Sequence, residues 1–154
     1  ILSDQNFSFL HCVTIYPTPV DKLNLNRIDY LRQFTDSVGF SDHTRPSQYG
    51  IDPDIVALWK GADIIERHFT ILDSSQTKDG PVSINPEQLK NIVDYSKHNP
   101  DELSKLVENI SDYDKMLGSK THSLSEEELL NRDYYRGRFA SKINGKTIYN
   151  WEES

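Results

Sequence analysis

The sequence predicts an α/β fold with a parallel sheet, and three observations carry that prediction. Over residues 1–70, short β-branched and aromatic runs alternate with amphipathic helical patterns. Three of those runs end at or near a histidine, namely His11, His43 and His68, at intervals of 32 and 25 residues. Such intervals suit the roughly 30 residues of one strand–helix–strand unit.

In chain order, residues 7–13 (FSFLHCV) are apolar and partly alternating, which reads as a strand. The two prolines of Tyr16–Pro19 (YPTP) stop it, because proline cannot extend a ladder. From about Leu23 to Phe34 the positions Leu25, Ile28, Leu31 and Phe34 fall at helical spacing. Val38–Ser41 is a second strand, ending in Asp42-His43-Thr44. Asp52-Pro53-Asp54 opens a helix with Asp52 as N-cap and Pro53 at the first helical position. Ile55, Val56, Leu58 and Trp59 supply its buried face, and Gly61 ends it. Residues 62–69 (ADIIERHF) form the third strand.

Residues 71–84 then read as a polar loop. Asn85-Pro86-Glu87-Gln88 combines an N-cap, an early proline and a capping-box glutamine. Asn99-Pro100-Asp101-Glu102 restarts a helix whose face carries Leu103, Leu106, Val107, Ile110 and Leu117, up to Gly118. Ser125 and Glu128 suggest one more capped helix, and Asn144-Gly145 is a hairpin signal within the strand-like tail.

Composition excludes several classes. The net charge of -7 leaves no Lys/Arg cluster of the kind nucleic-acid binding needs. The longest apolar runs are too short to cross a bilayer. A lone cysteine, Cys12, and the lack of a signal peptide suit the cytoplasm. Only 36% of the 154 residues are hydrophobic, a thin share for one domain. Three strand–helix units make less than half of a (β/α)8 barrel, which needs about 250 residues. An open three-stranded sheet would leave two edges exposed. With Met116 the sole methionine and none at the start, the expectation is a part of something larger.

The three histidines are the first candidates for chemistry. The C-terminal edge of a parallel sheet is where α/β folds bind ligands, and neighbouring strands lie about 4.8 Å apart. Imidazoles from adjacent strands can therefore share one divalent cation; half-buried, hydrogen-bonded histidines are the competing reading. Asp42 orients His43, binds a sugar hydroxyl, or caps a turn. Glu66, two residues before His68, shares its side of the strand, pointing inward to a cation or outward to Arg67 or Lys60. Tyr16 either faces a ligand or packs the loop. Cys12 points away from His11 and reads as a small buried apolar residue.

Taken together, His11–Pro19 (HCVTIYPTP) with Leu23–Asn26 (LNLN), Val38–Thr44 (VGFSDHT) and Ala62–Thr70 (ADIIERHFT) resemble the N-acetylneuraminate (sialic acid) synthases. Relatives of that family make legionaminic, pseudaminic and spore-coat sugars. The resemblance implies the C-terminal part of a (β/α)8 TIM barrel, about strands six to eight, over residues 1–117. Helices and a linker at 118–133 follow, and 134–154 begin a small antifreeze-like β domain or a terminal hairpin. It implies condensation of phosphoenolpyruvate with an N-acylated hexosamine to a nine-carbon α-keto acid, by a homodimer using Mn or Mg, with Co a third option. On this sequence His11 and His43 match the metal ligands; Asp42, Glu66 and His68 match catalytic positions; Tyr16, Asp42 and His68 match substrate-binding ones. Two segments depart from the pattern: Lys78–Ile84 lacks the family's Asp-His pair, and Tyr135–Ile143 is only vaguely similar to its linker. The family's phosphate-gripping lysines belong to earlier strands, so the remainder of the barrel is an expected partner. A catalytically degenerate paralogue, serving as a sugar-binding or scaffolding subunit, is the alternative that the altered loop supports.

Overall fold

The computed structural model describes residues 6–135, 140–143 and 146–149, in two compact units that divide between His122 and Ser123. The first unit is built on a parallel sheet of β1 (Phe9–Cys12), β2 (Val38–Asp42) and β3 (Ile64–Arg67), in that spatial order. Helix α1 (Arg27–Leu31) connects β1 to β2, and α2 (Pro46–Tyr49) and α3 (Asp52–Trp59) connect β2 to β3. Helices α4 (Pro86–Tyr95), α5 (Pro100–Val107) and α6 (Tyr113–Leu117) follow. The second unit holds α7 (Glu126–Tyr135) and the antiparallel pair β4 (Ala140–Ile143) and β5 (Lys146–Tyr149). Asn144-Gly145, between those strands, lies outside the described residues, as do residues 1–5, 136–139 and 150–154. Among the described residues no helix is long and apolar enough to cross a membrane.

Register decides what the sheet presents. Cys12 lies beside Ser41 and Ser41 beside Glu66, so these three share one face. One residue earlier, His11, Phe40 and Ile65 align on the other face. That second face packs on the helices: Val38, Phe40, Leu25, Ile28 and Val56 are fully buried in one cluster with Leu103, Val107 and Met116. Each such side chain stabilises the fold by about 1.5–3 kcal/mol when withdrawn from water. On the first face the backbones run close, since a Cβ at Gly39 would stand 2.7 Å from the carbonyl oxygen of Ile64.

Local chemistry explains most boundaries. Asn85 accepts from Gln88 N–H at 2.9 Å while Gln88 Oε1 accepts from Asn85 N–H at 3.0 Å. Asn99 and Glu102 make the same reciprocal pair at the start of α5. Gly61 ends the α3 region at φ 85°. Three expectations change. Asp52 is the first residue of α3 and makes no capping bond; Ile51 precedes it. The helix expected over 23–34 shrinks to 27–31, because Leu25 and Asn26 donate instead to Met116 and Leu117 carbonyls at 2.9 Å. The helix expected from Leu103 through Leu117 breaks in two, with Asp112 at φ 65° between the halves.

Candidate active site

The sheet's open face ends in a small cavity of about 230 Å³ lined by Ser41, His43, Glu66, Arg67 and His68. His43 follows β2 and His68 follows β3, so backbone alternation sends both rings to the face that carries Ser41 and Glu66. Their ring centroids stand 5.1 Å apart at 62°. Tyr16 meets His43 edge-on at 4.2 Å and is half exposed, at 50%. Cys12 Sγ lies 3.8 Å from His43 Nδ1, which leaves Nε2 on the opposite edge of the ring. Ser41 Oγ donates to Glu66 Oε1 at 2.6 Å and fixes that carboxylate. His68 Nδ1 lies 3.8 Å from Asp79 Oδ2, a contact from the 71–84 loop.

The electrostatics keep the nitrogen lone pairs available. Burial, with His68 and Arg67 adding to it, pushes the His43 pKa down to about 4, so its ring is neutral near pH 7. Neutral imidazole is the form that binds metal. Burial also raises the Cys12 thiol, so Cys12 stays protonated. Among the described residues no group of three or more His, Cys, Asp and Glu is arranged around a metal position. The two imidazoles, on adjacent strands, are the nitrogen donors that the cavity brings together.

Behind the sheet lies a second cluster. Arg67 Nη1 pairs with Asp42 Oδ2, and Arg67 Nε lies 3.8 Å from Asp54 Oδ2 on α3. All three side chains are buried, at 3%, 0% and 0% exposure. Asp42 also accepts from Thr44 N–H at 2.7 Å and from Thr44 Oγ at 2.9 Å. Asp54 makes no hydrogen bond with either oxygen. Burial raises both carboxyls against the pull of Arg67 and rises furthest for Asp54, which Asp42 also repels. Asp42 is held by Thr44 and Arg67 while Asp54 accepts no hydrogen bond, so the Asp54 carboxyl is raised the further of the two.

The sheet divides the expected site residues between its two faces. His11 sits on the helix-facing side, stacked on Phe40 at 6.0 Å, with Nε2 2.6 Å from the Leu23 carbonyl oxygen. His43 lies on the other face, and His68 is the ring beside it. Asp42 is fully buried on the side away from the cavity, paired with Arg67. Tyr16, Glu66 and His68 lie on the cavity side with His43. Cys12 belongs there too, half-buried against His43, and not in the core. Ser41, Arg67 and Asp54 were not singled out in the sequence. Alternation offered a signal for Arg67: between two cavity-facing residues it must point to the core, where a cation requires a buried anion.

The histidines and the carboxylate lie at the C-terminal edge of the parallel sheet, the edge at which α/β folds bind ligands. More particularly, the chain belongs to the NeuB family, whose model matches residues 2–99. It is 40% identical over 87 residues to N,N'-diacetyllegionaminic acid synthase of Campylobacter jejuni, covering 56% of this chain and 25% of that protein. To the spore coat polysaccharide biosynthesis protein SpsE of Bacillus subtilis it is 35% identical over 143 residues, covering 90% and 37%. The crystal structure of that SpsE superposes with a TM-score of 0.64 at 28% identity, over 86% of this chain and 36% of that one. The N-acetylneuraminic acid synthetase of Leptospira borgpetersenii, solved with citrate, gives 0.54 at 28%, over 84% and 39%. The chain thus spans between a quarter and two fifths of these relatives.

Proposed function

We propose that the protein carrying this chain condenses phosphoenolpyruvate with an N-acylated hexosamine, using a divalent cation held by His43 and His68. One observation carries the reading: two imidazoles 5.1 Å apart share the cavity with a hydrogen-bonded carboxylate, Glu66. The family match and the synthase names of the relatives support it. The three strands then form the C-terminal part of a barrel, and the phosphate grip lies on strands outside these residues. The second unit then opens the small β domain.

When bound there, a divalent cation supplies Lewis-acid polarisation of the sugar carbonyl oxygen. The chain's own residues do the rest. His43 and His68 present ring nitrogens from adjacent strands, and burial keeps the His43 ring neutral. Glu66, held by Ser41, is the group placed to take or give a proton at the reacting carbon or its water. Tyr16 walls the cavity beside His43 and offers a hydroxyl to substrate.

Phosphate release from phosphoenolpyruvate, with Mn and a panel of N-acyl hexosamines, tests the reading on the full-length protein. His43→Ala and His68→Ala are each expected to lower turnover at least about 100-fold and to weaken Mn binding. His11→Leu, which has no donor, is expected to keep Mn binding and to lose about 1–3 kcal/mol of stability through the orphaned Leu23 carbonyl. The reverse pattern, with His11 needed and His68 dispensable, overturns the assignment.

A further inference from the structure

We infer that Arg67, clamped between Asp42 and Asp54, is a positioning residue that sets the spacing of His43 and His68 from behind the sheet. The inference rests on the reading of those histidines as the metal pair. Asp42 and Arg67 form the last paired rung between β2 and β3. Each immediately precedes one of the two histidines in the chain. Because successive side chains alternate across a strand, a residue fixed behind the sheet fixes the Cα of the next, whose side chain faces front. The Arg67–Asp42 pair thereby ties together the two backbone segments from which the imidazoles project.

The ties extend beyond the rung. Asp42 Oδ1 holds Thr44 N–H at 2.7 Å, which bends the chain around His43, and Arg67 Nη1 donates to Thr44 Oγ at 3.4 Å. His43 is thus held from both sides in sequence, by Asp42 and Thr44. Asp54 brings α3 into the same cluster, 3.8 Å from Arg67 Nε. The tie is electrostatically expensive: two buried acids and one cation, with Asp54 Oδ1, Asp54 Oδ2, Arg67 Nε and Arg67 Nη2 making no hydrogen bond. Buried ion clusters of this kind are often no more stabilising than apolar residues of the same volume. A geometric role accounts for the arrangement where stability does not. Groups behind metal ligands that orient them typically change metal affinity 10- to 100-fold when removed.

The experiment uses the full-length protein and Co(II) alone as probe, reading its visible absorption bands together with thermal unfolding. Arg67→Met is expected to weaken Co(II) binding about 10- to 100-fold and to change band intensity, while Arg67→Lys recovers most of the affinity. If Arg67→Met does not fold, the pair Asp42→Asn/Arg67→Met, which removes both charges together, is expected to show the same loss. Lys60→Met, which breaks the Lys60–Asp29 pair away from the site, is expected to leave Co(II) binding unchanged. Folded Arg67→Met or the double variant binding Co(II) as the wild type does, with the same spectrum, overturns the positioning role alone. Wild-type protein that binds no Co(II) overturns the metal reading, and this inference with it.

Discussion

Asp54 is a carboxyl with no hydrogen bond to either oxygen, fully buried on α3 opposite Arg67. Burial, then repulsion from Asp42, raises its pKa well above the ordinary 3.8. In the unfolded chain the group loses its proton near that ordinary value, while the folded protein retains it. Between the two values the native state binds one more proton, so stability falls as pH rises and the deficit is complete above the folded value. Asp54→Asn removes the titration while keeping shape and neutrality. The variant is expected to be more stable than wild type near pH 7, by about 1–3 kcal/mol, and indistinguishable from it below about pH 4. Denaturant melts at several pH values check this; a variant less stable at pH 7 contradicts it. At the same scale, the site was half legible in the sequence. Glu66 and His68 fall on one side by alternation within a single strand. The face of His11 relative to His43 was not legible, because it depends on hydrogen-bond register between strands, and a strand's own pattern fixes only its own two faces. Register aligns His11 with Phe40, three residues short of His43.

Elements whose ends are determined locally were legible, and those determined by distant contacts were not. The boxes at Asn85 and Asn99 need only four consecutive residues, and both form. Helix α1 is short because Leu25 and Asn26, just before it, give their N–H groups to carbonyls of α6 some ninety residues away, and no local pattern records that. The α5 cap is testable. Asn99 Oδ1 accepts from the N–H groups of Asp101 and Glu102 at 3.0 Å each. The helix it starts buries Leu103 and Val107 and receives a hydrogen bond from Trp59 Nε1 on α3 at Ser104 Oγ, 3.0 Å. Asn99→Ala is expected to cost about 1 kcal/mol and to increase amide exchange in the first turn of α5. Metal binding at the sheet edge is expected to stay unchanged, because the cap touches neither histidine. An unchanged unfolding midpoint would show that the cap contributes nothing here.

Across the whole molecule, the sheet has more hydrogen-bonding capacity and apolar surface than its described neighbours use. Beyond the end of β3, Ile84 covers the outer side: its N–H donates to the His68 carbonyl at 2.8 Å, and Thr70 N–H donates to the Ile84 carbonyl at 3.0 Å. The outer edge of β1 has no strand beside it among the described residues. Phe9–Cys12 carries neither lysine nor proline, the usual guards of an open edge. Large apolar side chains are exposed in the same unit, with Ile71 at 78%, Leu72 at 52% and Phe69 at 49%. In a barrel, further strands would pair with β1 and enclose the face that carries the cavity. Produced as these 154 residues alone, the polypeptide is therefore expected to associate at micromolar concentration and to bind a hydrophobic dye. Size-exclusion chromatography with light scattering reads the first property and dye fluorescence the second. In the full-length protein the dye signal is expected to fall to background. A dye-silent monomer of the 154-residue chain would mean that the β1 edge and the cavity face need no further strands, which removes the structural reason for placing this sheet inside a barrel.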